Sequence, residues 1–182
     1  MNCKICESRA RAYARATVRN AHATAVFQCE SCGFVFFDPV TWLSEAYAEP
    51  IDTTDVGYVA RNVEAAEFVA RFLLHIHKPG DFYCDYGAGY GMFVRLMRDR
   101  GFPFHWHDPL CRNLFASYCE AVPAFFAPYR AVTAIEVFEH LPDPVPALAK
   151  IIEFGSMILF TTVVIPSPAP PVERFPYFGF EH

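Results

Sequence analysis

Four of the seven cysteines come in pairs, Cys3-x2-Cys6 and Cys29-x2-Cys32. Four thiolates spaced this way offer a closed tetrahedral sulfur site, the coordination that Zn²⁺ takes in structural centres. The two-residue gap lets both sulfurs of a pair reach one ion. Gly33, just after the second pair, permits the tight turn such a knuckle needs. Two disulfides, unrelated thiols or a redox pair are the alternatives. Neither pair lies between a strand and a helix of a βαβ unit, as a redox pair would. A closed site leaves no open position for substrate, so the expected ion is structural Zn²⁺, held by Cys3, Cys6, Cys29 and Cys32.

A second pattern is Asp85-Tyr86-Gly87-Ala88-Gly89-Tyr90-Gly91. It follows an apolar strand, Asp81 to Tyr86, and opens a helix, which is the context that gives a glycine loop meaning. Gly87, Gly89 and Gly91 let the backbone approach a ligand closely, and helix N-terminal amides favour negative charge. Asp108 closes the next strand, where a carboxylate can accept hydrogen bonds from a ribose diol. A dinucleotide fingerprint would carry Gly or Ala where this chain has Met92. A nicotinamide dehydrogenase is therefore the weaker rival.

The third group is Glu136-x-x-Glu139-His140, at the end of a later apolar strand. A carboxylate or imidazole there can serve as general base for an attacking hydroxyl. Two carboxylates and an imidazole also suit Mg²⁺ or a related ion. Otherwise these residues cap the following helix and shape the pocket.

The elements that must position these groups alternate. Val59, Val63, Ala66, Val69, Leu73 and Ile76 recur at three and four, which predicts a helix over 58–77. Strands are expected at 81–86, 103–107, 131–138 and 156–165, with a weaker one over Val122–Phe126 and a short helix over Leu110–Tyr118. Asp143-Pro144 starts another helix, with Asp as N-cap and Pro at the first helical position. Strand and helix in alternation imply a parallel sheet with helices on both faces. Residues 1–40 read as a separate cysteine module containing a hairpin that ends in Thr24–Gln28. Residues 41–57 read as a linker with a short helix around Ser44–Ala48, and 58–182 as the α/β domain.

Three ordered motifs carry a resemblance. The DxGxGxG loop resembles motif I of the class I S-adenosylmethionine-dependent methyltransferases. Ala131 to Pro144, with Glu136-Val137-Phe138-Glu139-His140-Leu141-Pro142-Asp143-Pro144, looks like the fourth-strand motif of that family's EVLEHL-DP branch. Met157-Ile158-Leu159-Phe160-Thr161-Thr162 looks like its fifth strand. The cysteine spacing resembles zinc ribbons, which recur at the N-terminus in that branch.

The resemblance implies a Rossmann-like sheet in strand order 3-2-1-4-5 and S-adenosylmethionine as cofactor. Gly87, Gly89 and Gly91 would pack against its methionine part, Asp85 would reach its amino group through water, and Asp108 would hold its ribose. ExxEH is similar to the metal-ligating motif of two methyltransferase groups, which extends the Mg²⁺ reading to Glu136, Glu139 and His140. Ala124-Phe125-Phe126-Ala127 stands where the family has an acidic or amide residue near adenine. The implied reaction is methyl transfer to a small-molecule acceptor such as a sugar or other metabolite hydroxyl.

The family adds two strands after the fifth, and the proline-rich segment from Pro166 cannot supply them, because proline lacks the N–H a ladder needs. Strand five is then expected at an edge, with either a second copy or partner chain to cover it or a native protein that is longer. The aromatic residues Phe175, Tyr177, Phe178 and Phe180 would form part of an acceptor lid or a misplaced core strand. A non-catalytic or partner-completed cofactor-binding module is the alternative reading.

Composition agrees with a filled core. Hydrophobic residues are 53% and charged residues 19% of 182, with a formal net charge of -5. That balance, without a basic run, points away from a nucleic-acid partner. The longest apolar stretch is too short to span a bilayer and no signal peptide is visible, so a cytoplasmic protein without membrane contact is expected.

Overall fold

The structure, a computed structural model, describes residues 1–46, 56–166, 170–171 and 174. Contacts divide the chain into two units.

The first unit takes Met1–Ala46, Phe138–Leu148 and the described residues from Val163 onward. Strands β1 (Ala10–Val18) and β2 (His22–Cys29) form the expected antiparallel hairpin. Its turn places Arg19 and Asn20 at φ of 52° and 56°. Successive left-handed residues match the twist of the flanking strands, and Asn tolerates that conformation better than most side chains. Strand β3 (Val35–Asp38) pairs antiparallel with β2, and Pro39 stops it.

Val18, Val26, Phe37 and Trp42 make the core of this unit, with Tyr13, Val35, Val40 and Ile165 against them. Trp42 precedes helix α1 (Leu43–Ala46), so the expected short helix begins one residue earlier than its spacing suggested. Positions 47 and 48 lie outside the described residues. Within the same unit, Lys4 Nζ donates to the Pro142 carbonyl at 2.9 Å. It also lies 3.8 Å from the Asp143 carboxylate and over the Phe36 ring.

The second unit holds helix α2 (Tyr58–Leu73), strand β4 (Tyr83–Tyr86), helix α3 (Met92–Asp99), strand β5 (Phe104–His107), helix α4 (Pro123–Phe126) and strand β6 (Ala131–Ile135). The last turns of helix α5 (Pro144–Phe154) and strand β7 (Ile158–Thr161) complete it. The sheet is parallel throughout, in the order β5-β4-β6-β7. These are the second, first, fourth and fifth strands of a Rossmann-like fold. The third is reduced to one parallel bridge between Trp106 and Glu120.

Two expectations fail here. Val122–Phe126 is not a strand. Pro123 occupies the first position of α4, where its fixed φ and missing N–H suit a helix start and would break a ladder. Leu110–Tyr118 is not a helix but a series of turns. Its first amides, those of Leu110 and Cys111, donate to the Asp108 carboxylate. The amides of Leu114 and Phe115 donate to the Tyr90 carbonyl. Donors spent this way cannot build a helical ladder. Strand β7 is also shorter than the apolar run that announced it, and among the described residues it pairs with β6 alone. Phe175, Tyr177, Phe178 and Phe180 lie outside the described residues. No described helix is long and apolar enough to cross a membrane.

Side chains alternate across the sheet. Tyr83, Phe104 and Ala131 face one side, where they pack with Leu73 of α2 and with Phe93 and Met97 of α3. His105 and His107 share the other side, as their spacing predicted. His105 stacks on Phe82, and His107 lies against Tyr86 and Phe154. Burial holds both imidazoles below their ordinary pKa. Arg98 reinforces this at His105, whereas Asp108 and Glu120 oppose it at His107.

Gly155 allows the chain to leave α5 close to the sheet. A Cβ there would stand 2.5 Å from the Tyr129 carbonyl and 3.2 Å from Val132 Cγ2. The clash is with backbone and a packed β-branched residue, so it cannot be relieved by a flexible tip. Gly155→Ala is expected to destabilise by about 1–3 kcal/mol, the scale of overpacking. Urea unfolding would register a lower midpoint at unchanged m-value. An unchanged midpoint would show that α5 and its neighbours shift freely.

Candidate functional site

The glycine loop connects β4 to α3 at the carboxyl end of the sheet, the end at which open α/β folds bind ligands. Gly87, Gly89 and Gly91 all have positive φ, at 73°, 52° and 82°. Two of them also have no room for a side chain. A Cβ on Gly87 would meet Val137 Cγ2 at 2.8 Å, and one on Gly91 would meet the Asn113 amide at 2.1 Å. The loop is tied to the neighbouring strand because the Gly87 N–H donates to the His107 carbonyl at 2.8 Å.

Asp108 stands at the end of β5, half-buried, and one oxygen accepts the Gly89 N–H at 2.8 Å. Its other oxygen accepts the N–H groups of Leu110 and Cys111, each at 2.9 Å. A carboxylate offers about four lone-pair sites, and three are taken by amides. The structure therefore joins Asp108 to the glycine loop.

Asp85, the last inward residue of β4, is buried at 2% exposure. The Thr133 hydroxyl of β6 donates to it at 2.6 Å. Burial pushes its pKa up to about 7, with the Thr133 bond pulling the other way and the nearby Asp108 charge adding to the rise. Asp85 is thus a buried carboxyl held by Thr133.

The ExxEH run is divided. Glu136 ends β6 in the second unit, in a left-handed conformation at φ 53°. Its N–H donates to Thr161 Oγ1 at 3.0 Å, and that hydroxyl donates to the Glu136 carboxylate at 2.8 Å. Glu139 and His140 lie in the 3-10 turn Phe138–His140, which belongs to the first unit. Among the described residues, the only group of three or more His, Cys, Asp or Glu with converging ligand atoms is the cysteine set. Geometry therefore lends no support to a Mg²⁺ site at Glu136, Glu139 and His140.

The cysteine set does converge. Sγ atoms of Cys3, Cys6, Cys29 and Cys32 all lie within 4.8 Å of one another. Cys3 and Cys32 are 3.7 Å apart, Cys6 and Cys29 3.5 Å. A Zn–S bond of about 2.3 Å gives a tetrahedral sulfur–sulfur edge of about 3.8 Å, so the four sulfurs fit one ion. The knuckle amides point inward: Ile5 donates to Cys3 Sγ, and Ser31 and Cys32 donate to Cys29 Sγ, each at 3.4 Å. Such donors favour thiolates. Hydrogen bonds from Ser8 hold Cys6 down to about 6. Cys32 is drawn down by the Phe34 amide, yet burial and its three sulfur neighbours push it up to about 12. Four sulfurs this close cannot all ionise without a cation among them.

Residues 59–165 match the family model for a methyltransferase domain, and the chain belongs to that family. Comparison with the curated proteins gives no match. The parallel sheet is consistent with a Rossmann-like methyltransferase fold, and the four-cysteine cluster fits a small zinc-binding module.

Sequence reasoning passed over Thr133, Thr161 and Asn113. Thr133 carried a signal, since it is the one hydroxyl residue in the apolar run Ala131–Ile135. Asn113 carried none, because the turns around it have no periodicity.

Two outcomes follow for the site. Asp85 keeps its proton in the fold to about pH 7, whereas the unfolded chain releases it near 3.8. Its contribution to stability is full below 3.8 and is lost as pH rises toward 7. Asp85→Asn should remove that dependence, so that wild type loses roughly 4 kcal/mol relative to the variant between pH 4 and 8. Parallel stability-versus-pH curves for the two proteins would contradict this placement. At the cysteines, metal analysis should find one Zn²⁺ per chain. Cys29→Ser should lose it with a fall in thermal midpoint of roughly 5–10 °C.

Proposed function

We propose that this chain transfers the methyl group of S-adenosylmethionine to a small-molecule acceptor, a sugar or other metabolite hydroxyl. The observation that carries the reading is the bond from the Gly89 amide to Asp108, which brings a left-handed glycine loop and a ribose-binding carboxylate to one end of a parallel sheet. When bound, the cofactor supplies a sulfonium methyl that an acceptor oxygen takes in line, the carbon–sulfur electron pair passing to sulfur.

The chain's own residues would do the rest. Gly87, Gly89 and Gly91 admit the methionine part by carrying no side chains, and Asp108 accepts from the ribose diol with the lone pair its amide partners leave open. Asp85, once ionised, supports the amino group through water. Glu136, Glu139 and His140 are the candidates to take the acceptor proton, with Glu136 held ready by Thr161. Alignment of nucleophile, methyl and sulfur accounts for most of such catalysis. Residues 1–40 would serve as a zinc-ribbon module, 41–57 as a linker and 58–182 as the catalytic domain.

A second reading is a partner-completed or non-catalytic cofactor-binding module. It is favoured by β7, which pairs on one side only among the described residues. A second copy or another chain covering that edge would show as a dimer or complex whose activity falls on dilution.

Calorimetry with S-adenosylmethionine and S-adenosylhomocysteine tests the assignment. Asp108→Ala should weaken binding by about 1.5–3 kcal/mol, the scale of hydrogen bonds to a charged group. Affinity should rise with pH through about 7, because the ligand's ammonium group favours ionised Asp85. Binding of NAD in place of either ligand would refute the reading.

A further inference from the structure

Asn113 lies in the turn after Asp108 and is buried, at 6% exposure. Its Oδ1 accepts the Ala116 N–H at 2.7 Å. That bond sets the orientation of the side-chain amide, because only the oxygen can accept. Nδ2 therefore faces the glycine loop, 2.1 Å from the point that a Cβ on residue 91 would occupy. Side chain and loop touch because residue 91 is glycine. The contact is clamped by the Leu114 and Phe115 amides, which both donate to the Tyr90 carbonyl at 3.0 Å.

One part of this arrangement is unfinished. Nδ2 carries two donor hydrogens, is fully enclosed and has no acceptor among the described residues. A buried donor without an acceptor is costly, and most folds avoid it. Here it sits against the glycine loop.

We propose that Asn113 is a further binding residue of the cofactor site, its Nδ2 donating to an oxygen of the bound cofactor. The inference rests on the S-adenosylmethionine reading above. Two oxygens have the right chemistry, the methionine carboxylate and the ribose hydroxyl. Gly91 then has a second purpose, which is to leave room for the amide that reaches past it.

The test is Asn113→Asp, which keeps the shape and the acceptor for the Ala116 N–H but replaces the donor with an oxygen. Binding of S-adenosylhomocysteine at pH 8 should weaken about tenfold or more, with the thermal midpoint near that of wild type. The ratio of wild-type to variant affinity should shrink as pH falls, because a protonated carboxyl is again a donor. A residue that merely holds the turn would show no such recovery. Methylthioadenosine, which keeps the ribose and lacks the amino-carboxylate, separates the two acceptors. A penalty that persists assigns the ribose, and one that vanishes assigns the carboxylate.

Equal binding by wild type and variant overturns the role of Asn113 and leaves the cofactor reading standing. No binding by wild type overturns both. If the variant does not fold, wild type labelled with ¹⁵N at asparagine carries the test, since Asn113 is one of four asparagines. Its NH₂ signals must shift when S-adenosylhomocysteine is added, and side-chain signals that stay in place overturn the proposal.

Discussion

The hydrogen bond from the Gly89 N–H to the Asp108 carboxylate is the constraint on which the site turns. A loop of left-handed glycines has many conformations open to it, and Gly loses more freedom on ordering than any other residue. Asp108 removes that freedom from outside the loop, using the end of a neighbouring strand as the anchor. Strand pairing of β4 with β5 brings Asp108 within reach, and the aromatic packing of Tyr83 on Phe104 holds that pair together. The geometry of the glycine loop is therefore a property of the sheet.

The same end of the sheet collects the other groups with chemical potential. Asp85 leans on Thr133 of β6, and Glu136 leans on Thr161 of β7. In both cases a threonine one strand further along holds the carboxylate. The β-branched side chain suits the strand, and its hydroxyl gives the acid a partner that water would otherwise supply.

What was legible in the sequence follows from this. The turn at Gly87, Gly89 and Gly91 could be read because each position takes a left-handed conformation that few other residues adopt. The cysteine knuckles were legible by their paired spacing. The reading failed where residue type leaves the outcome open. Val122–Phe126 is as apolar and aromatic as a strand, and a single Pro123 turned it into α4. Leu110–Tyr118 has the composition of a helix, but its amides were drawn away by Asp108 and Tyr90. Thr133, Thr161 and Asn113 act through pairing and burial, which no spacing along the chain encodes.

Lys4 gives the N-terminal module a role apart from its cysteine cluster. It stands between Cys3 and Cys6 and donates to Pro142, beside Asp143 at the start of α5. The cysteine knuckle is thus a strap across the turn that carries Glu139 and His140. Excising the first forty residues to obtain a smaller catalytic fragment would also unfasten that turn.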